Sequence, residues 1–291
     1  MRSGYLPRAL KSYAVVAVLT AGCMLQSRGT VVAKPKRIGA VTSSFPLQVS
    51  ASSGNVWLIF VDDLHVDFRN TGGLKNLLKA ISWTVIHDGD MFGMLSSGPS
   101  SLSGDFTNDR KLLDDGIGKV SGAALKPSEI LDLSQSADGP DEVRYRAKVA
   151  LATAYYMMIR LEQVRERRKA FIYISNGYNF DPSPSESLAT SSTNPFATGG
   201  DKFSVPQLRA QLSELTRQAK RANVRIFAID PRGLAGEPAI DPNLDRLVWQ
   251  NYWTTTRNSL RVISEQTGGF ALLDESDLAE GLTRINSAMR D

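Results

Sequence analysis

The chain has one cysteine, Cys23, in 291 residues. A body without it holds no disulfide, and at this length a single core can support the fold without covalent staples. Long apolar runs are also scarce. The run from Tyr13 to Leu25 is shorter than the roughly 20 residues that a membrane-spanning helix needs. There is no Gly-x-Ser-x-Gly elbow, no phosphate-binding Gly-x-x-x-x-Gly-Lys and no cysteine nucleophile in the body, which removes the best-marked hydrolase and nucleotide-binding classes. No internal repeat points to a solenoid. An excess of one charge is missing too, once the start of the chain is set apart. Residues 1–37 hold seven Lys and Arg and no acid, leaving 27 bases against 30 acids beyond them. The near-neutral body gives no electrostatic case for binding nucleic acid.

What is present begins with an export pattern. Arg2, Arg8 and Lys11 lead into the apolar run, and small and polar residues follow, so residues 1–33 read as a signal peptide and the protein as periplasmic, cell-surface or secreted. Val31-Val32-Ala33 offers one cleavage site. Thr20-Ala21-Gly22-Cys23 is an imperfect lipobox and makes Cys23 a lipidation candidate, with a lipid anchor as the alternative to simple cleavage. Residues 34–54 read as a linker in which Phe45 to Val49 could pair as an edge strand.

From residue 55 to 291, strand and helix signals alternate. Val56 to Val61 is a continuous apolar run that stops at Asp62-Asp63, as a central strand buried on both faces would. Leu74, Leu77, Leu78, Ile81, Val85 and Ile86 recur at helical spacing, and Met91 to Ser96 forms a second strand. Ser101 to Phe106 suits a short return strand, with Thr107 capping the helix that follows. A long helix is expected over Asp141 to Arg167, its basic end at Arg165, Arg167, Arg168 and Lys169 forming a solvated terminus. Further expectations are strand Ala170–Ser175, helix Pro206–Arg221, strand Val224–Ile229, helix Thr255–Thr267, strand Gly269–Leu273 and a last helix from Leu278. This order predicts an α/β fold with a doubly wound, mostly parallel central sheet and helices on both faces.

In such a sheet, ligands bind beyond the carboxyl ends of the strands. Three polar segments qualify as sharing one rim: Asp62-Asp63-Leu64-His65-Val66-Asp67, Phe106-Thr107-Asn108-Asp109, and Ser175-Asn176-Gly177. Two long connections, Gly177–Val205 and Pro231–Trp253, leave strand ends on the same side. The first has the composition of a disordered segment, and the second carries Trp249, Tyr252 and Trp253 for partner or packing contacts.

Those segments, with Arg168-Lys169-Ala170, Ile229-Asp230-Pro231-Arg232-Gly233-Leu234 and Thr267-Gly268-Gly269, resemble a von Willebrand factor A domain, and in particular its bacterial subfamily described as acidobacterial von Willebrand factor A-related. The resemblance spans about residues 55–288. It implies a metal-ion-dependent adhesion site, in which Asp-x-Ser-x-Ser, a Thr from a second loop and an Asp from a third hold Mg²⁺. The pattern is eroded here. Counting from Asp62 puts Leu64 and Val66 where hydroxyls belong, whereas counting from Asp63 gives Asp63, His65 and Asp67. Thr107 matches the second-loop threonine, and Asn176 stands where the third-loop Asp would be. The metal candidates are thus Asp62, Asp63, His65, Asp67, Thr107 and Asn176, with Mg²⁺ weakened and Mn²⁺ or Zn²⁺ better suited to His65. Ser175, Trp249, Tyr252 and Trp253 would line the rim for an unidentified protein partner. The resemblance implies an adhesion or scaffold protein rather than an enzyme. A structural envelope component that does not use the rim, and a metal-dependent hydrolase, are the alternatives.

Overall fold

A computed structural model describes residues 54–133, 139–182, 204–233, 244–273 and 278–290. The residues expected to form the signal peptide, with Cys23, those expected to form an edge strand at Phe45–Val49, and most of the Gly177–Val205 connection lie outside the described residues. The elements in chain order are β1 (Val56–Val61), α1 (Thr71–Thr84), β2 (Met91–Ser96), α2 (Arg110–Lys119), α3 (Pro127–Leu133), α4 (Gly139–Glu162), β3 (Lys169–Ile174), α5 (Val205–Arg221), β4 (Val224–Ile229), α6 (Arg246–Glu265), β5 (Ala271–Leu272) and α7 (Leu278–Ala288). Short 3₁₀ turns stand at Phe68–Asn70 and Pro231–Gly233.

All five strands are parallel, in the order β2-β1-β3-β4-β5. Side chains alternate across the sheet, so each strand feeds two cores. Val56, Leu58 and Phe60 of β1 join Phe171, Tyr173 and Ile226 against Leu151 and Met158 of α4, Leu212 and Leu215 of α5 and Leu260 of α6. Trp57, Ile59 and Val61 face the other way, with Ile172, Ile174 and Phe227, onto Leu74 and Ile81 of α1, Ile117 of α2 and Ile285 of α7. This is the doubly wound α/β architecture that the alternating pattern predicts. Among the described residues, no helix is long and apolar enough to cross a membrane.

At the amino edge, Asp90 gathers the backbone N–H of Asn55 (2.7 Å), the indole Nε1–H of Trp57 (2.9 Å) and the backbone N–H of His87 (2.9 Å). A buried indole needs an acceptor, and a buried carboxylate needs donors. The two demands are met in one knot that ties β1, the end of α1 and the start of β2 together.

Four expectations are corrected. The return strand Ser101–Phe106 reduces to isolated antiparallel bridges, Leu95 with Ser103 and Phe92 with Thr107, because positive φ at Ser101 (52°) and Gly104 (71°) interrupts it. Thr107, held extended by that bridge, is not the cap of α2. Asp109 is, its side chain accepting from the N–H of Lys111 (2.9 Å). Helix α4 stops at Glu162, and the basic cluster beyond it is not simply solvated. Lys169 lies buried in β3 and donates through Nζ to the carbonyls of Leu161 (3.1 Å) and Val164 (2.9 Å), satisfying the end of the helix it follows. Finally, α6 starts nine residues before Thr255, capped by Asp245 on the N–H of Leu247 (2.8 Å). Trp249, Tyr252 and Trp253 are therefore helical rather than part of a loop.

Candidate functional site

The strand order reverses between β1 and β3: the chain leaves β1 towards β2 on one side and enters β3 on the other. Loops diverge at such a point and open a crevice at the carboxyl edge. Asp62 ends β1 there, its N–H bonded to Ile174 O (2.8 Å), and Ser175 ends β3, its N–H bonded to Ile229 O (3.2 Å).

Asp62 is completely buried and is the hub of the crevice. Oδ1 lies 2.9 Å from Nδ1 of His65 and accepts from the hydroxyl of Ser97 (2.8 Å). Oδ2 accepts from the hydroxyls of Ser175 (2.8 Å) and Tyr178 (3.0 Å). A carboxylate has about four lone-pair directions, and here each has a partner. The bond fixes His65 with its proton on Nδ1, while its ring meets the ring of Tyr178 edge-on at 4.8 Å between centroids. Burial pushes the phenols of Tyr173 and Tyr178 well above their usual range, and the charge on Asp62 adds to this. Tyr178 therefore stays a neutral donor to Asp62, and it also bonds the hydroxyl of Tyr173.

The neighbouring carboxylate is turned towards the β2 loop. Asp63 Oδ2 accepts from the N–H of Ser100 (2.7 Å), and Oδ1 sits 3.1 Å from the Ser97 hydroxyl. Ser97 has a single proton, and its shorter contact is with Asp62. Backbone geometry holds the β3 loop in place as well. Gly177 has φ +77°, and a Cβ there would lie 2.0 Å from Thr256 O of α6, so only glycine fits.

Of the six candidate ligands, the structure unites only part. Asp62, Asp63 and His65 stand together, with Asn176 in the loop after β3. Thr107 bridges Phe92 near the start of β2, at the opposite edge of the sheet from Ser96, and its hydroxyl accepts from the N–H of Asp109 (3.0 Å). The position expected of it is taken by Ser97. Asp67 caps the first 3₁₀ turn and grips Arg69, with Oδ2 2.7 Å from Nη2. Partial burial pushes its carboxyl up, but the bonds and charge of Arg69, with the charge of Lys126, outweigh this and hold it below the usual value. These donors do not fit a divalent cation: the four directions of Asp62 are spent, Asp67 is committed to Arg69, and Thr107 is elsewhere. Among the described residues, no group of three or more His, Cys, Asp or Glu side chains is arranged to hold a metal ion.

A second constellation lies past β4. Asp230 receives Nε (2.8 Å) and Nη2 (2.7 Å) of Arg232 in a bidentate fork, and Nε of Arg257 at 3.4 Å. Nη2 of Arg232 also donates to Thr256 Oγ1 (3.1 Å). Both guanidinium groups lie over the ring of Trp253, at 4.2 and 4.6 Å from its centroid, and Trp253 continues into Trp249 and Tyr252. Trp249 and Tyr252 are themselves buried, so they serve mainly to seat Trp253. Burial raises the phenol of Tyr252, with the charge of Arg232 opposing and those of Asp230 and Asp67 assisting.

No protein-family model and no curated protein matches the chain. The residues that sequence reasoning missed are Ser97, Tyr178, Asp230, Arg232 and Arg257. Ser97 follows the end of β2, so the rule that selected Asp62 and Ser175 would have found it. Asp230 likewise follows the end of β4, with Arg232 two residues on, whereas Tyr178 and Arg257 carried no such signal, since their partners are distant in sequence.

Proposed function

We propose that the chain is an exported protein-binding domain of the von Willebrand factor A type, in which a hydrogen-bonded Asp62 stands where the family's adhesion site holds its metal, and that it is not an enzyme. The supporting observation is that Asp62 collects donors from three separate loops, at Ser97, Ser175 with Tyr178, and its own His65. Such a hub preorganises the crevice for binding without an ion. His65 is oriented by Asp62 in the manner of a general base, yet among the described residues no Ser, Thr or Cys hydroxyl or thiol is bonded to its other nitrogen, which is unfavourable for acyl transfer. Phe68 and Leu247, 69% exposed each, stand in the 3₁₀ turn after β1 and the first turn of α6 as apolar contacts beside the crevice.

A second reading, a structural envelope component bound through its helices, draws on Trp83 of α1, which is 77% exposed. The two are separated by using the full chain as bait in extract of its host's envelope, with and without chelator. Phe68→Asp and Leu247→Asp should abolish capture of the same proteins that wild type retains in chelator. If Trp83→Ala abolishes capture and the rim variants do not, the helical reading replaces the rim.

A further inference from the structure

A helix that joins two parallel strands returns the chain to the amino edge of the sheet, the side opposite the crevice. Three stretches meet there: the link from α4 into β3, the link from α5 into β4, and the end of α7. The guanidinium of Arg168, just before β3, donates to the carbonyls of Met289 (2.9 Å) and Arg290, and that of Arg225 in β4 donates to the carbonyl of Ala288. Both strands thus hold the end of α7 beside their own starts.

These stretches are basic. Arg165, Lys220, Arg225 and Arg290 are exposed, and among the described residues none of the four has a carboxylate within ion-pair distance. The acids of the same stretches are fewer: Glu162 pairs with Arg221, which leaves Glu166, while Asp88 and Glu265 stand at the margins, by β2 and β5. Helix ends explain part of this, since Lys220 and Arg221 complement the carbonyl end of α5 and Arg225 that of α7. They do not explain Arg165, in the link beyond α4, or Arg290, whose side chains bond no carbonyl among the described residues. The same edge receives the start of the chain. The N–H of Val56 bonds to Arg168 O (2.8 Å), so residues 1–53 join the sheet here, and residues 34–53 hold Lys34, Lys36 and Arg37 and no acid.

We infer that the amino edge is a docking surface for an anionic membrane, with Arg165, Lys220, Arg225 and Arg290 facing the headgroups. Basic side chains near a bilayer are drawn to its anionic lipids, and such a patch holds a protein firmly only together with a second attachment. The linker supplies the coincidence, because the segment expected to reach the bilayer through its leader or a lipid on Cys23 enters the fold at the basic edge. That coincidence favours a membrane over an acidic protein as the occupant. Docking by this edge turns the crevice, at the opposite edge, away from the bilayer. The inference rests on the export reading for its tether and adds the orientation in which the domain is held.

Vesicle flotation tests it with the protein purified from its own host, as processed there. At low salt the protein should partition at least about tenfold more strongly onto vesicles of phosphatidylglycerol and phosphatidylcholine than onto phosphatidylcholine alone, and the preference should fade as salt screens it. Neutral vesicles register whatever the leader or a lipid contributes by itself. Arg165→Glu with Lys220→Glu should erase the preference. Lys119→Glu with Arg246→Glu changes the net charge equally at exposed positions of the carboxyl edge, at the end of α2 and the start of α6, and should keep it. Both pairs should unfold at the wild-type urea midpoint. Equal partition of the wild type onto the two vesicles, or equal loss in the two pairs, overturns the inference. Binding of poly-glutamate without binding of vesicles also overturns it and gives the edge to an acidic protein. A cytosolic species starting at Met1 that still prefers anionic vesicles removes the export reading and keeps the surface. A processed, exported chain without the preference removes the surface and keeps export.

Discussion

The hydroxyl of Tyr178 donates to Asp62 over 3.0 Å, across 116 positions of sequence and between the loops that follow two neighbouring strands. This bond locks the β3 loop onto the end of β1. Tyr178→Phe keeps the ring against His65 and Phe180 and removes one donor from a buried carboxylate. It should lower the unfolding free energy in urea by about 1.5–3 kcal/mol, the range for bonds to charged groups. Asp62→Ala orphans every donor and should cost about 3–5 kcal/mol. Equal stability of the wild type and Tyr178→Phe would show that Asp62 does not organise the crevice.

Asp90 offers a control far from the crevice. Asp90→Ala strips acceptors from Asn55, Trp57 and His87 and should cost about 2–5 kcal/mol in the same measurement. Capture of partners from extract should survive, because the knot lies at the amino edge.

Acid should loosen the Asp67 turn. Its carboxyl is held below the ordinary value of 3.8, so the unfolded chain binds the proton more readily than the folded one. The stabilisation is complete above that ordinary value and fades as pH falls through the lower folded one. Asp67→Asn should lower stability at neutral pH, converge with wild type at low pH and so flatten the acid limb between those points, as read by urea titrations at several pH values. A wild-type limb that Asp67→Asn leaves intact would assign acid sensitivity to other carboxylates.

Metal titration should be flat. Calorimetry with Mg²⁺, Mn²⁺ and Zn²⁺ is expected to give no binding that Asp63→Ala abolishes, because the Asp62 oxygens already have their donors. Saturable binding lost in Asp63→Ala would restore the adhesion-site metal.

Export should remove the leader. Intact mass of the protein from its own host should begin after residue 33, or at a diacylglyceryl-modified Cys23. A cytosolic species starting at Met1 would end the export proposal.

Much of the fold was legible in the chain because burial leaves a local trace. Val56 to Val61 is apolar without a break since both faces of β1 are covered, and Leu74, Leu77, Leu78 and Ile81 recur where one face of α1 meets the sheet. The end of β1 at Asp62-Asp63 was equally plain, since an apolar run cannot continue into two carboxylates. Boundaries were less legible where capping decides them. Asp109 and Asp245 start α2 and α6, and nothing apolar marks either position.

The site divides the same way. Sequence alone determined that Asp62, Asp63 and His65 stand at the carboxyl end of a central strand, and that Ser175 and Asn176 end another. Only the tertiary structure decided that Thr107 lies at the opposite edge, that Ser97 takes its place, that Tyr178 bonds Asp62, and that Arg232 forks onto Asp230 past β4. The physical reason is range. Periodicity records what each residue buries against its own element's neighbours, whereas a hydrogen bond between loops depends on strand order and register, which bring distant residues within 3 Å only after the sheet has assembled.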